Sequence, residues 1–318
     1  MTKPMLKDLQ LGETVDTFLA VSQKQEKKTK NQDPYLYLRL ADASGEVEVN
    51  LWKEFADVFP QIQEQSVVKV RGALSEYKSK KQFNITQIRP AAPEEYDLGD
   101  FIRKTKKDIP QTLQKVKDIL LTISDPDFKK LTDLFLADEK LMADFAKAPA
   151  AQNIHSACIG GLLEHVSAIL DLALFVAEQY HLNRDLLLLG VFLHDIGKTR
   201  ELDYAKTTFG YTDEGNLVGH INIGLEILQD KIRQLTDFPA QKKNLLEHLI
   251  LSHHGVPEFG SPRTPLTMEA VALNLIDNID AKLVGFQDFV ERNPPNGSWT
   301  AKAFMFDNRS LYVGPKVI

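Results

Sequence analysis

The chain has 318 residues, 26% of them charged and 43% hydrophobic, which is typical of a soluble globular protein of about two domains. Its formal net charge of −6 argues against a protein that coats nucleic acid with its whole surface. The longest apolar run, residues 186–193, is too short to span a bilayer, and the N-terminus shows no signal-peptide pattern. The single cysteine, Cys158, excludes an internal disulfide and a thiolate zinc cluster and favours a reducing, cytoplasmic location.

The charge is unevenly distributed along the chain. Residues 1–90 contain 14 Lys and Arg against 12 Asp and Glu, a net charge of +2, whereas the remainder carries −8. Because basic surfaces attract phosphate backbones, we expect any contact with nucleic acid to lie in the N-terminal part.

The N-terminal part is predicted to form a small β-barrel. Five segments have the alternation of strands, and a short helical stretch, KEFADVFPQI, separates the third from the fourth. In the second segment, Leu36, Leu38 and Leu40 share one face while Tyr35 and Tyr37 share the other. This order of elements is that of an OB-fold, a five-stranded Greek-key barrel.

Two lysine-rich segments are predicted to be loops of this barrel. QKQEKKTKNQD joins the first two strands and YKSKK joins the last two, the positions of the loops that flank the binding face of OB-folds. Lysines there would attract phosphates, and outward aromatic rings would stack on bases. The candidate nucleic-acid-binding residues are Lys27, Lys28, Tyr35, Tyr37, Lys80 and Lys81, with Trp52 and Phe83 as further outward aromatic residues. The alternative is that the lysines are merely solvated and the rings cap the barrel.

The rest of the chain is predicted to be helical. PAAPEEYDLGD opens a linker, and apolar residues then recur at helical spacing to about residue 290 without an intervening strand pattern. The predicted architecture is multidomain α+β, with an OB-fold over 1–90, a linker over 91–112, an all-α bundle over 113–292 and a tail over 293–318. We expect the tail to be irregular or packed on a surface.

A set of histidines and aspartates lies where the predicted helices should face their core. VFLHDIGK places His194 beside Asp195, and four more histidines and one aspartate lie on or at the ends of other helices. One such histidine would be structural, but burying this many polar groups is costly unless something binds them. We therefore infer a divalent metal site. Nitrogen and oxygen ligands without cysteine suit Mn²⁺, Fe²⁺ or Co²⁺.

The order His, His-Asp and a late Asp resembles the HD superfamily of metal-dependent phosphohydrolases. The resemblance implies one metal position with four ligands and, as in two-metal members such as the HD-GYP phosphodiesterases, a second position with three more. The first position comprises His165, His194, Asp195 and Asp277, and the second comprises His220, His253 and His254. Asp195 would bridge both ions. The paired histidines continue as HHGVPEFGSPR, without the GYP signature, which disfavours cyclic dinucleotides as substrates.

The combination of an OB-fold and an HD domain resembles the YhaM-type 3′→5′ exoribonucleases of Gram-positive bacteria. HDIGK, the paired histidines and LIDNIDAK are the most specific parts of this resemblance. It implies a cytoplasmic exoribonuclease that releases 5′-nucleotides from single-stranded RNA, with single-stranded DNA as a second candidate, and that uses two Mn²⁺ ions per chain. No membrane partner is expected, and a homo-oligomer is a candidate assembly.

Lys198 and Asp280, two further residues near the motif, each have two possible roles. Asp195 and Lys198 are the predicted catalytic residues, with Lys198 reaching the scissile phosphate, although Lys198 could instead be an exposed helix-end charge. Asp280, one turn after Asp277, would either orient a ligand histidine or face water. His155 would either contact the substrate or be structural, and the structural role is favoured. His181 and His248 are predicted to be structural.

Two other functions compete with the exoribonuclease. The first is an HD-type phosphodiesterase or phosphohydrolase that acts on a small nucleotide. The second is a non-catalytic nucleic-acid-binding protein, but a chain without catalysis has no reason to keep all seven ligand-type residues. A series of oligonucleotide lengths separates the first alternative, because only an exonuclease produces a ladder of one-nucleotide steps.

Overall fold

The structure is a computed structural model. It describes residues 4–77, 80–151, 158–204, 209–293, 295 and 297–314. The chain divides into two compact units, Met1–Lys104 with Tyr204–Gly210 and Thr105–Asp203 with Tyr211–Ile318. We call the first the barrel unit and the second the helical unit, and each is described by itself.

Five strands of the barrel unit close a β-barrel. They are β1 (Thr14–Lys28), β2 (Pro34–Asp42), β3 (Gly45–Leu51), β4 (Val67–Tyr77) and β5 (Lys80–Pro90). Their spatial order is β1-β2-β3-β5-β4, with β4 pairing back onto β1. All neighbours are antiparallel except β3 and β5, and a 3₁₀ stretch, Lys53–Gln61, connects β3 to β4. The OB-fold predicted from the sequence is confirmed.

The barrel core follows from the alternation along the strands. Leu36, Leu38 and Leu40 are fully buried, whereas Tyr35 and Tyr37 of the same strand are half-buried on the outer face. Each buried leucine contributes roughly 2 kcal/mol of transfer free energy, which is lost if the strand slips by one residue. The alternation therefore fixes both the register of β2 and the outward direction of its tyrosines.

The two lysine-rich segments are mostly strand, so their prediction as loops was wrong. β1 continues to Lys28, with Lys27 paired opposite Tyr35, and β5 already begins at Lys80. Backbone pairing with a neighbour sustains a strand beyond the core, where solvated side chains need no apolar alternation. Lys80 and Lys81 thus lie in β5, but their side chains are outside the described part of the chain.

Phe83 does not face outward, so its prediction as a stacking residue was wrong. Its side chain is 2% exposed and packs inside the barrel core. A bulge where Arg71 and Gly72 pair with β5 shifts the register by one residue. As a result Phe83 and Ile88, an odd number of residues apart, both point inward.

The helical unit contains the following helices over its described residues: α1 (Ile109–Leu121), α2 (Pro126–Leu136), α3 (Glu139–Lys147), α4 (Gly161–Tyr180), α5 (Arg184–Leu193), α6 (Lys198–Glu201), α7 (Asp213–Ile232), α8 (Ala240–Ser252) and α9 (Met268–Arg292). Two-residue strands, β6 (Leu202–Asp203) and β7 (Gly210–Tyr211), lie between α6 and α7 along the chain, so the expectation of a region without strands was wrong at this point. The helical periodicity read from the sequence is confirmed. No helix in the described ranges is long and apolar enough to cross a membrane.

Short polar residues mark where several of these helices begin. Asp108, Asp125, Asp138 and Asn183 each accept a hydrogen bond from a backbone amide two or three residues later. Such a cap satisfies an amide that has no partner within its own helix and contributes about 1 kcal/mol. The starts of α1, α2, α3 and α5 are thus determined locally.

Helix α5 lies at the centre of the unit. Its residues Leu186–Leu193 are all buried, and it contacts α2, α4, α8 and α9. A helix that is apolar on every side must be surrounded by others. Since His194 and Asp195 follow directly after α5, the core itself brings them to the middle of the bundle.

The tail forms a hairpin, so the expectation of irregular structure was wrong. Its strands are β8 (Trp299–Ala303) and β9 (Arg309–Tyr312). Asp307 and Asn308, the last two residues of the five-residue connection, both have positive φ, which Asp and Asn adopt more readily than most residues. The Phe306 ring lies 5.8 Å from Phe286 of α9, so this part of the tail is packed on the helical unit, as the second half of the expectation had it.

Candidate metal centre and nucleic-acid surface

The ends of several helices bring the predicted metal ligands into one cluster. His194 caps the C-terminus of α5, His253 caps that of α8, and His165 lies near the start of α4. His220 lies in α7 and Asp277 in α9. The structure thus places all seven predicted ligands, including Asp195 and His254, around one point of the helical unit.

At the first position, the carboxylates of Asp277 and Asp195 lie near the Nε2 of His165. This nitrogen lies 3.2 Å from Asp277 Oδ1 and 3.9 Å from Asp195 Oδ2. His194 Nε2 lies 3.3 Å from the same Oδ2. Nitrogen and oxygen atoms from two different helices and the turn after α5 therefore converge within the reach of one ion.

The second position is built around the other oxygen of Asp195. His220 Nε2 lies 3.5 Å and His253 Nε2 3.6 Å from Asp195 Oδ1. His254 Nε2 lies 3.2 Å from His220 Nε2. Asp195 thus presents Oδ2 to one group of ligands and Oδ1 to the other.

Three atoms at the heart of this cluster show that its donor set fits a divalent metal. Among the described residues, His194 Nε2, Asp195 Oδ1 and His253 Nε2 are buried side-chain atoms without a hydrogen-bond partner. An unsatisfied buried polar atom costs about 1–3 kcal/mol, so three within one cluster are not a stable end state for a core. A cation bound by neutral imidazole and carboxylate removes this cost and matches the ligand preference of Mn²⁺, Fe²⁺ and Co²⁺.

Backbone carbonyls orient two of the histidines. The Nδ1 of His194 donates to the carbonyl of Val191, and the Nδ1 of His253 donates to the carbonyl of Ile250, both at 2.7 Å. Donation from Nδ1 sets the tautomer and leaves Nε2 free to act as a ligand. Asn274 in turn donates to the His253 carbonyl at 2.6 Å, which holds the end of α8 against α9.

Carboxylates orient two more of the histidines, His165 and His220. His165 Nδ1 lies 2.7 Å from Asp280 Oδ2, so Asp280 faces a ligand histidine rather than water. His220 Nδ1 lies 3.0 Å from Glu201 Oε1. No pattern in the sequence pointed to Glu201, because its contact to His220 crosses nineteen positions between separate helices.

Mutual interactions control the charges in the cluster. Burial alone would raise the pKa of Asp195, but Lys198 and His194 hold it well below the usual range. Burial likewise opposes ionisation of Asp277, yet its bond to His165 keeps that pKa low. Burial would lower the pKa of His165, but the neighbouring carboxylates outweigh it and raise the pKa to about 10. The carboxylates are therefore ionised, as metal ligands must be, whereas His165 holds a proton that a bound metal would have to displace.

The two histidines at the end of α8, His253 and His254, have pKa values that are lowered rather than raised. Burial lowers the pKa of His253 well below its ordinary value, and the nearby His194 adds to this effect. Burial also lowers the pKa of His254. Neutral imidazoles keep a lone pair available for a cation, so both rings are in the form that binds metal.

Lys198 is not an exposed helix-end charge. Its side chain is 15% exposed, and its Nζ donates to Asp195 Oδ2 at 2.6 Å. Burial would lower the pKa of this ammonium group, but Asp195 more than compensates and raises it. Lys198 is therefore a largely buried cation that touches the central carboxylate of the cluster.

The histidines predicted to be structural lie outside the cluster where they are described. His248 Nε2 accepts a hydrogen bond from the amide of Leu266 at 2.9 Å, and burial lowers its pKa. His181 is exposed and ends α4 with a left-handed backbone. His155 is outside the described residues.

The outer face of β1 and β2 presents rings and lysines together. The Nζ of Lys27 lies 4.1 Å from the centre of the Tyr37 ring, and the rings of Tyr35 and Trp52 are 5.1 Å apart. Trp52 is 47% exposed, and Lys27 and Lys28 are exposed on β1. Aromatic faces beside ammonium groups are the combination that single-stranded nucleic acid requires.

Two family models match the chain. The HD domain model matches residues 162–282, and the model of an OB-fold nucleic acid binding domain matches residues 20–91. Among solved structures, the HD domain of the phosphodiesterase PgpH from L. monocytogenes is 20% identical over 50% of this chain and 74% of that chain, with a TM-score of 0.28. A domain of replication protein A from Methanococcus maripaludis is 17% identical over 28% of this chain and 94% of that chain, with a TM-score of 0.25.

The two matches coincide with the two kinds of site. The HD match spans every residue of the histidine and aspartate cluster, and an HD domain implies a divalent metal. The OB-fold match covers the strands that carry the exposed rings and lysines. The chain therefore combines an HD-type metal-dependent phosphohydrolase domain with an OB-fold nucleic-acid-binding domain, which together indicate a hydrolase of nucleic acids.

Proposed function

We propose that this protein is a cytoplasmic, YhaM-type 3′→5′ exoribonuclease that uses divalent metal to release 5′-nucleotides from single-stranded RNA, with single-stranded DNA as a second candidate substrate. The observation that carries the proposal is the buried cluster around Asp195, with three unsatisfied ligand atoms, in a chain that also has an OB-fold. The proposed domain limits are 1–90, 91–112, 113–292 and 293–318. The single cysteine, which leaves no internal disulfide, supports the cytoplasm.

The proposed catalytic residues act on and around the metal positions. Divalent ions, when bound, supply a nucleophile from water at neutral pH and stabilise charge on the phosphoryl oxygens. Asp195, with one oxygen facing each group of ligands, is the proposed bridge. Lys198 holds that carboxylate in place and offers a fixed positive charge to the scissile phosphate. Mn²⁺ is the proposed ion, since the ligands are nitrogen and oxygen only.

Sizing the products of labelled RNA tests this proposal. Single-stranded RNA labelled at its 5′ end should yield a ladder of one-nucleotide steps with Mn²⁺ and no products with EDTA. The same RNA labelled at its 3′ end should release a labelled mononucleotide at once, because degradation begins there. Hydrolysis confined to small nucleotides, with intact RNA left uncut, would instead establish the small-nucleotide phosphohydrolase.

The barrel unit is proposed to hold the strand while its 3′ end is hydrolysed. Replacing Lys27, Lys28, Lys80 and Lys81 with Ala should raise KM for long RNA. It should also reduce the salt dependence of binding, because fewer phosphate contacts mean that fewer counterions are released when the RNA binds. Cleavage of a very short RNA should change little. Matched replacement of the exposed Lys129 and Lys130 of α2 serves as a control. Equal losses on long and short RNA would contradict this role.

A homo-oligomer is supported by the surface of α9. Large apolar side chains recur there at three- and four-residue spacing and are between 45% and 63% exposed: Met268, Val271, Leu275, Ile279 and Leu283. Monomers rarely expose a continuous apolar stripe of this length, and a second copy of the same stripe is a fitting cover. Sedimentation should show a multimer that Leu275→Lys dissociates, whereas Phe175→Lys on α4 leaves it intact.

A further inference from the structure

Helix α7 is broken immediately before a metal-ligand histidine. Gly219 has φ 76° and ψ 153°, a conformation that side-chain-bearing residues rarely adopt, and the residues on either side are helical. An added Cβ at this position would meet no atom within 4 Å. Glycine is therefore required here for the backbone and not for space.

The break gives His220 an amide that its own helix does not use. That amide donates to Glu201 Oε1 at 2.9 Å, and the same oxygen lies 3.0 Å from His220 Nδ1. One carboxylate oxygen thus fixes both the backbone and the ring of this histidine. The ring is turned so that its Nε2 faces Asp195 Oδ1, at 3.5 Å.

Close contact between the backbones of α6 and α7 keeps Glu201 from moving away from His220. A Cβ on Gly197 would lie 2.0 Å from the His220 carbonyl oxygen, and one on Gly215 would lie 2.2 Å from the Glu201 carbonyl oxygen. The two backbones therefore touch on both sides of the bond. Glu201 itself is 7% exposed, and its bond to His220 outweighs burial and keeps its pKa low.

We propose that Glu201 is a positioning residue for the second metal position, held in register by the break at Gly219. This proposal rests on the proposed metal-dependent function, and it assigns to Glu201 the role of strengthening metal binding at the second position. A carboxylate bonded to Nδ1 fixes the tautomer of an imidazole and makes Nε2 a stronger ligand. Asp280 has the same relation to His165 at the first position, 2.7 Å away. The two positions are thus tuned by separate carboxylates on separate helices.

Mn²⁺ titration of the full chain, read by electron paramagnetic resonance and calorimetry, tests this division. Glu201→Gln should weaken one of two binding steps by about 10- to 100-fold and leave the other within twofold, because loss of such a carboxylate typically has this effect. Asp280→Asn should weaken the other step. Glu226→Gln, an exposed glutamate of α7 that contacts Arg200 and no ligand, is the matched control and should change neither.

A double-mutant cycle separates positioning from general damage. In a His220→Ala background, Glu201→Gln should have no further effect on Mn²⁺ affinity, whereas Asp280→Asn should still weaken the first position. Gly219→Ala keeps every side chain of the site and should reproduce the loss of Glu201→Gln. It also provides the test if Glu201→Gln lowers the helical circular dichroism.

The outcomes distinguish this inference from the function on which it rests. Failure of the wild-type chain to bind Mn²⁺ would overturn both. Two binding steps in the wild type that Glu201→Gln and Gly219→Ala leave within twofold would overturn the positioning role alone. An equal loss from Glu201→Gln with and without His220 would also overturn it, since the carboxylate would then act through another residue.

Discussion

The two units bury polar groups in different ways. In the barrel unit, the buried Asp42 accepts hydrogen bonds from the amides of Leu6 and Ser44 at 2.6 and 2.7 Å, so its carboxylate is fully used by the fold. In the helical unit, His194 and His253 are completely buried, yet the Nε2 of each has no partner. A buried carboxylate whose hydrogen bonds are all made stabilises its own fold. Buried polar atoms that cluster without hydrogen-bond partners indicate that a ligand binds there.

The location of the candidate function differs in the same way. The barrel presents its rings and lysines on the outer face, over an apolar core cluster. The helical unit carries its ligands in the core, at the ends of helices that are themselves apolar. Function therefore adds little cost to the barrel core, but it costs the helical core stability until a metal binds.

The largest effect is expected at the residue on which the cluster converges. Asp195→Asn keeps the volume of the side chain but removes the charge between the two groups of ligands. Loss of a catalytic metal should lower RNA hydrolysis by about 10³-fold or more. The rate with saturating Mn²⁺, measured together with circular dichroism, checks this.

The control for that variant is an aspartate of the same unit outside the cluster. Asp171 on α4 pairs with Lys115 at the surface, and Asp171→Asn should leave the rate unchanged. Near-normal turnover by a folded Asp195→Asn protein would show that the cluster is not the catalytic centre.

The contrast between the two cores predicts different costs for equally buried side chains. Phe83→Ala should destabilise the barrel unit by about 3–5 kcal/mol, because it leaves a cavity in an apolar core. In metal-free protein, His253→Ala should cost the helical unit less than this, since it removes an unsatisfied nitrogen together with the ring, although it also leaves a cavity and takes the donor from the Ile250 carbonyl. Hydrogen exchange by mass spectrometry reports the stability of each unit separately.

Adding Mn²⁺ sharpens this comparison. Metal should stabilise the helical unit of the wild type by about 2–3 kcal/mol at a hundredfold excess over its dissociation constant. His253→Ala should show a smaller gain, and Phe83→Ala the full gain. Equal costs of both substitutions in metal-free protein would mean that His253 is an ordinary core residue.

The smallest effect concerns a carboxylate of the helical unit that serves only the fold. Asp125 caps α2 and bonds to Lys242, and these bonds outweigh burial and lower its pKa. A carboxylate whose pKa is lowered in the folded state stabilises the fold at pH values above its unfolded-state pKa of 3.8. This stabilisation is lost as the pH falls through the folded-state pKa. Asp125→Asn should therefore cost about 1 kcal/mol at pH 7.

That difference from the wild type should shrink as the pH falls through the lowered folded-state pKa, where the native carboxylate is protonated as well. Urea unfolding at pH 7 and at acid pH measures it. Asp144→Asn, which breaks an exposed pair with Lys140 on α3, should have little effect at either pH. A pH-independent cost of Asp125→Asn would show that shape, and not charge, stabilises the cap.

The sequence predicted the elements whose burial pattern is regular. The alternation of Leu36, Leu38 and Leu40 placed β2 correctly, and the apolar run of α5 placed His194 at the centre of a bundle. Polar residues inside such patterns stand out because burial is costly. The grouping of the seven candidate ligands was therefore open to prediction from their positions and the family resemblance.

What the sequence did not predict depends on contacts rather than periodicity. The extension of β1 to Lys28 relies on backbone pairing with β2, and the inward turn of Phe83 relies on a bulge. The role of Glu201 depends on how α6 meets α7, and the two possible roles of Asp280 differed only in what its side chain faced. Spacing along one helix contains none of this information.

The metal content of the purified chain tests the central claim most directly. After incubation with Mn²⁺ and gel filtration, elemental analysis should find about two ions per wild-type chain and less than one in Asp195→Asn, because both proposed positions share that carboxylate. A wild-type chain that retains no ion, or an Asp195→Asn chain that retains as many as the wild type, would contradict the account.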